Sequence, residues 1–298
     1  VTTDTDRRRL PPSMATNTRV NRPDSREPTL TTIDVLRTGT VDVDRALAFR
    51  ESTYHPAPWT GWLRPRSARI EVPVSTYLIT HSEGTVLVDT GWHTDVRTDQ
   101  RSHLGRFAHS IFRARLPPGM AVQEQLDQRG LSPEDLDLVV LSHLHADHAS
   151  GLEHVADARK IVVSEPEWAA RETMGYISSM WAGIDVEPVA LERIGFGPTG
   201  RGRDLFGDGS VILVYTPGHS PGHLSILVDS GVGWVLLAGD VGYASRSWED
   251  GILPGVTTND HEATRSLTWL REFSKREDCI VAVANHDPAV GGGRLRVR

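Results

Sequence analysis

The stretch "SHLHADH" crowds His143, His145, Asp147 and His148 into six positions directly after the apolar run "LDLVVL". Alternate residues of an extended segment point to one side, so His143 and His145 can converge on one ion. Where the chain turns, Asp147 and His148 can reach a second. Three further donors close apolar runs downstream: His219 in "YTPGHSPGH", Asp240 in "LLAGD" and His286 in "ANHD". The full set suffices for two cations, one held by three imidazoles and the other by two imidazoles and Asp147, with Asp240 between them. Two divalent ions about 3.5 to 4 Å apart can hold one water and lower its pKa from about 16 towards neutrality. That chemistry supplies a nucleophile without a serine or a cysteine. A polar turn with clustered imidazoles competes as an explanation of the first four residues alone, and it weakens with each additional donor found at a strand end.

Composition narrows the chemistry further. Cys279 is the only cysteine among 298 residues, so no thiolate cluster and no intramolecular disulfide can form. Any metal must be bound by imidazole and carboxylate, which accept zinc, cobalt, manganese or iron. A formal charge of -7 argues against a protein that grips phosphate backbones, and no nucleic-acid partner is expected. No stretch has the length and apolarity of a bilayer-spanning helix and the N-terminus lacks an apolar signal core, so no membrane partner and a cytoplasmic location are expected. Monomer and homodimer are both compatible with this composition.

The elements that must position these donors follow from periodicity. Residues 1–28 are rich in Pro, Thr, Arg and Asp without apolar periodicity and read as a disordered tail. Residues 29–298 read as one domain. "RIEVPVSTYLITHSEGTVLVDTG" reads as a hairpin turning at Glu83-Gly84, and "KIVVS", "VILVYTPGH", "LSILVDS", "GWVLLAGD" and "CIVAVANHD" as further strands. Helical signals fall between them: "AVQEQLDQRG", ending at Gly130; a start at Ser132-Pro133; and "NDHEATRSLTWLREFS", with Asn259 as cap and Ala263, Leu267, Leu270 and Phe273 on one face. Alternating strands and helices with hairpins imply an α/β sandwich of sheets covered by helices.

With these pieces in order, the chain resembles the metallo-β-lactamase superfamily over about residues 30–290. The resemblance is carried by "VLVDTG" with Asp89, "SHLHADH", "TPGHSPGH", "LLAGD" and "NHD". It implies an αββα sandwich with two divalent metal ions, zinc foremost, at its edge. His143, His145 and His219 would hold one ion, Asp147, His148 and His286 the other, and Asp240 would bridge them, while Asp89 would be a structural loop residue. "YTPGHSPGHLS" is similar to the segment found in N-acyl-homoserine lactone lactonases, the quorum-quenching hydrolases. Tyr243 matches the tyrosine that faces the substrate carbonyl in that family. The implied reaction is opening of a small-molecule lactone ring by hydroxide bridging the metals, with Tyr243 stabilising the oxyanion and Asp147 carrying a proton to the leaving alkoxide. The alternatives are a lactonase for a different ring or a glyoxalase-II-like thioesterase. The short sequence after "NHDP" counts against the latter, and the absence of a metal-binding cysteine against a true β-lactamase.

Other residues call for plainer readings. His223, four after His219, is expected to be a hydrogen-bonded support rather than a ligand. His55, His81, His93, His103, His109, His154 and His261 show no converging partners and are expected to pack or face solvent. Trp59, Trp62, Trp92 and Trp248 could line an acyl-chain groove, with core or loop anchoring as the plainer role. Arg101, Arg106, Arg113 and Arg115 are expected on the solvated face of a helix.

Overall fold

The structure, a computed structural model, describes residues 31–296, and the expected tail at 1–28 lies outside them. A first sheet is built from β1 (Thr32–Asp44), β2 (Arg69–His81), β3 (Gly84–Val88), β4 (Arg113–Arg115), β5 (Leu138–Val140), β6 (Ile161–Ser164) and β7 (Glu187–Val189). A second contains β8 (Glu192–Arg193), β9 (Arg201–Asp204), β10 (Val211–Tyr215), β11 (Leu224–Asp229), β12 (Trp234–Leu237) and β13 (Cys279–Val283), and β14 (Gly293–Arg294) returns to the first sheet beside β1. The orders are β14-β1-β2-β3-β5-β6-β7 and β13-β12-β11-β10-β9-β8, with β4 paired to β1. Pairing is parallel along β3, β5, β6 and β7 and between β12 and β13, and antiparallel elsewhere.

Period-two alternation places each strand residue in one of two layers. Val86 and Val88 of β3 face the space between the sheets, where they meet Val211 and Leu213 of β10, Leu224 and Ile226 of β11, and Val235 and Leu237 of β12. The intervening residues point outward: Leu87 into a core with Leu104, Leu126 and Leu141, and Ile212, Leu227 and Leu236 into a core with Leu267, Leu270 and Phe273. Both faces of each sheet are therefore covered, which explains why the strands read as nearly continuous apolar runs. The helices that do the covering are α1 (Arg45–Ala48), α2 (Gln100–Ile111), α3 (Val122–Asp127), α4 (Ala146–Ala149), α5 (Glu165–Ala169), α6 (Ser245–Asp250) and α7 (Asp260–Phe273). The architecture is the expected αββα sandwich. Among the described residues, no helix is long and apolar enough to cross a membrane.

Local expectations fare unevenly. Asn259 caps α7 through its side chain, accepting from the N–H groups of His261 and Glu262. Ser132-Pro133 opens only a single 3₁₀ turn, Pro133–Asp135. The four arginines do not share a helix. Gly105, at φ +75°, kinks α2 and Ile111 ends it, so Arg101 and Arg106 are helical while Arg113 and Arg115 lie on β4. There they face solvent while Ala114 between them packs inward, a strand alternation that overrides the helical reading.

Candidate active site

The donors gather at one edge of the sandwich because the strand ends gather there. His143 and His145 follow β5, Asp147 and His148 ride on the short α4, His219 follows β10, Asp240 follows β12, and His286 follows β13. His143, His148, His219, Asp240 and His286 are each no more than 4% exposed, whereas His145 and Asp147 are half-buried and open the cluster to solvent.

The separations divide the cluster in two. His145 Nδ1 lies 3.0 Å from His143 Nε2 and 2.9 Å from His219 Nε2. Asp240 turns its two oxygens in different directions: Oδ2 is 3.5 Å from His219 Nε2, while Oδ1 is 3.3 Å from His286 Nε2 and 3.5 Å from His148 Nε2. Asp147 Oδ2 completes the second group, 3.4 Å from His286 Nε2 and 3.8 Å from His148 Nε2. Edges of about 3.4 Å are those of a tetrahedron of donors about 2.1 Å from a common centre.

The far side of each ring fixes which nitrogen faces the cluster. His286 Nδ1 lies 2.7 Å from the carbonyl of Pro73, which can only accept, so Nδ1 donates and Nε2 is the nitrogen that faces the cluster. His148 Nδ1 likewise donates to Asp89 Oδ2 at 2.8 Å. Two imidazole Nε2 atoms thus face a carboxylate oxygen, and His148 Nε2, His286 Nε2 and Asp240 Oδ1 are buried without hydrogen-bond partners. A positive charge belongs between these atoms, either protons on the two rings or a metal ion, and this donor set of imidazole and carboxylate fits two divalent ions.

Charge and burial act in opposite senses across the cluster. Burial, reinforced by neighbouring imidazoles, holds His143 and His219 well below the usual histidine range, leaving their lone pairs free. Burial would also depress His148 and His286, but carboxylates led by Asp240 outweigh it and raise both. Burial opposes ionisation of Asp240, yet His286 and His148 pull it well below the carboxylate range. Tyr243 stacks on His286 with ring centroids 4.5 Å apart, and burial, followed by the charges of Asp240 and Asp147, pushes its phenol far up. It therefore keeps its proton at neutral pH and can donate a hydrogen bond.

His223 takes the supporting role expected of it. Its Nε2 accepts from the Asp240 N–H at 2.9 Å and its Nδ1 meets Thr216 Oγ1 at 2.9 Å, while burial lowers it to about 4. Asp89 proves to be more than a loop residue: at φ +61° it reaches His148, the N–H and hydroxyl of Ser142, and Asn285. The seven other histidines do not all lack partners. His93, His103 and His154 form a stack, with centroids 5.0 and 4.1 Å from His93. His93, Asp95 and His103 lie close together, but the parallel rings keep their in-plane lone pairs from converging. His93 Nδ1 also already accepts from the Asp95 N–H, and His103 Nε2 is bonded to Ser150.

A cavity of about 260 Å³ opens onto the cluster. Its polar lining consists of His145, Asp147, His219 and Tyr243, and its walls are apolar, including Val43, Phe107, Ile111 and Phe112. Trp59 and Trp92 line it, Trp62 meets Phe107 edge-on, and Trp248 instead packs in the core beside α7. Sequence reasoning offered only tryptophans for the walls and missed those supplied by α2 and residues 174–177. It also missed the buried Glu167, whose acidic type on an unremarkable short helix gave no signal.

Comparisons with known proteins agree with this geometry. The family model described as the Metallo-beta-lactamase superfamily matches residues 69–283. The chain is 33% identical over 230 residues to N-acyl homoserine lactonase AttM of Rhizobium radiobacter, covering 74% of this chain and 84% of that protein. It is 30% identical over 217 residues to an N-acyl homoserine lactonase of Bacillus cereus, covering 71% and 80%. Among solved structures, an N-acyl homoserine lactone hydrolase with N-hexanoyl-L-homoserine bound at its catalytic metal centre superposes with a TM-score of 0.71 at 25% identity, over 88% of this chain and 95% of that one.

Proposed function

Because the chain belongs to the metallo-β-lactamase superfamily and its buried donors form two adjoining cation cages, we propose that it is a dinuclear-metal lactonase that opens the ring of N-acyl-homoserine lactones. The observation that carries this reading is Asp240, which offers one oxygen to each group of imidazoles above an apolar cavity. His143, His145 and His219 would hold one ion, Asp147, His148 and His286 the other, and Asp240 both. Zinc is the ion proposed, since imidazole and carboxylate suit it and no thiolate is present. When bound, the pair would supply Lewis acidity and an activated water at neutral pH.

The chain's own groups account for the rest. Tyr243, protonated and at the cavity floor, donates to the carbonyl oxygen as negative charge develops there, a contribution of about 3 kcal/mol for one well-placed donor. Asp147, half-buried at the same floor, carries the proton to the departing ring oxygen, which leaves as the hydroxyl of an N-acyl-homoserine. The apolar walls take the acyl chain and keep water from it. The protein is proposed to act in the cytoplasm without nucleic-acid or membrane partners, as a domain spanning residues 29–298.

A substrate panel tests this reading: acyl-homoserine lactones of several chain lengths, an unrelated lactone, a glutathione thioester and nitrocefin. The expected result is turnover of the acyl-homoserine lactones well above the others. Preference for the thioester or the unrelated lactone would overturn the substrate assignment.

A further inference from the structure

Glu167 is fully buried, and its carboxylate is used by none of the steps above. Four neutral donors converge on it. Oε1 accepts from the Leu144 N–H at 2.9 Å and the Tyr176 hydroxyl at 2.6 Å, and Oε2 accepts from the Ser220 hydroxyl at 2.7 Å and the Gly222 N–H at 2.8 Å. Leu144 lies between His143 and His145, and Ser220 follows His219. The carboxylate thus joins the two loops that carry the three-imidazole group. Its third tie, Tyr176, belongs to the segment whose Met174, Gly175 and Ile177 line the cavity, and the Tyr176 ring stands 5.6 Å from that of His145.

The approach is close as well as polar. Ser164, which caps α5 by accepting from the Glu167 N–H, donates to the carbonyl of Gly222 at 2.6 Å. A Cβ on Gly222 would lie 2.1 Å from the Glu167 nitrogen, so only glycine lets the loop seat against the helix. Burying a carboxylate is costly unless its lone pairs are filled, and here four donors fill them.

We propose that Glu167 is a positioning residue that sets the spacing of His143, His145 and His219 and fixes the cavity wall to the same point. The inference rests on the dinuclear reading above and adds to it a residue that touches neither metal nor substrate. Each oxygen accepts one backbone N–H, from Leu144 or from Gly222. An amide in place of the carboxylate therefore turns its NH₂ against a backbone donor in either orientation, and backbone donors cannot reverse.

The test is competition between the zinc-loaded protein and a colorimetric zinc chelator, with lactone kinetics in parallel. In Glu167→Gln, one of the two zinc ions should leave at about 10- to 100-fold lower chelator concentration than in the wild type, with the other unchanged. Tyr176→Phe removes only the wall tie, so it should release both ions as the wild type does while raising KM for the lactone. Should Glu167→Gln fail to fold, Ser220→Ala removes a single donor and should loosen one ion roughly fivefold. Release of both ions from Glu167→Gln at wild-type concentrations, or equal weakening of both as general destabilisation would give, overturns the inference while leaving the dinuclear reading intact. A wild-type protein that takes up no zinc overturns that reading and this inference with it.

Discussion

Two groups of imidazoles lie within this fold and differ in everything except residue type. At the strand ends, His143, His145, His148, His219 and His286 meet mostly edge-on, four of their five ring pairs within 10° of perpendicular, and their nitrogens point at one another or at carboxylates. In the other group, His93, His103 and His154 stack nearly parallel, within 15°, and nitrogens of His93 and His154 accept backbone N–H groups of Asp95 and Thr94. The first arrangement turns ring nitrogens toward one another and toward carboxylates in a buried space, a donor set that fits metal cations. The second satisfies its lone pairs internally and needs none. Proximity of histidines therefore says little until the tautomers and the ring planes are known.

The sharpest way to break this contrast is Asp240→Ala, which removes the one side chain shared by both halves of the edge-on group. Metal content should fall, and lactone turnover should drop by at least about 10³-fold. Full retention of both would leave Asp240 without its bridging role. Tyr243→Phe should lower kcat by about 10²-fold with two metals still bound, because the role proposed for the phenol is donation to substrate and not to metal. Metal loss in that variant would contradict the division of roles. Asp89→Asn weakens the acceptor that fixes the His148 tautomer, and metal affinity measured by chelator titration should fall about 10- to 100-fold. An unchanged titration would show that Ser142 and Asn285 suffice to orient the ring.

The smallest effect belongs to the stack. Burial, with His93 adding to it, holds His154 down at about 4. The unfolded chain, with an ordinary histidine near 6.5, therefore binds a proton more readily than the folded one. The contribution of His154 to stability is fully present above about pH 6.5 and is lost as pH falls towards 4. In His154→Gln, the drop in melting temperature between pH 7 and pH 5 should be smaller than in the wild type by about 3 °C or less, at unchanged metal content. Identical drops in the two proteins would remove His154 as a source of acid sensitivity, and metal loss would erase the contrast between the two groups.

The edge-on group was legible in the sequence because its donors follow the ends of apolar strands, directly or on the short α4, so one rule of chain geometry brings them all to the same edge. The stack was not, since residues 93, 103 and 154 share no local pattern and are joined only by tertiary packing. The same holds for the cavity walls: Phe107 and Ile111 follow the kink at Gly105, which no helical period survives, and residues 170–177 have no period at all. Arg113 and Arg115 misled because an arginine-rich stretch continues past the true end of α2, where Ala114 and Leu116 already alternate as a strand does.

The central claim is that seven side chains cage two cations on which lactone opening depends. Metal analysis of the purified protein, followed by chelation and re-addition of zinc with N-hexanoyl-homoserine lactone turnover as the readout, tests it most directly. Two ions per chain, loss of turnover on chelation and recovery on zinc addition are predicted; turnover that survives complete removal of metal would contradict the account.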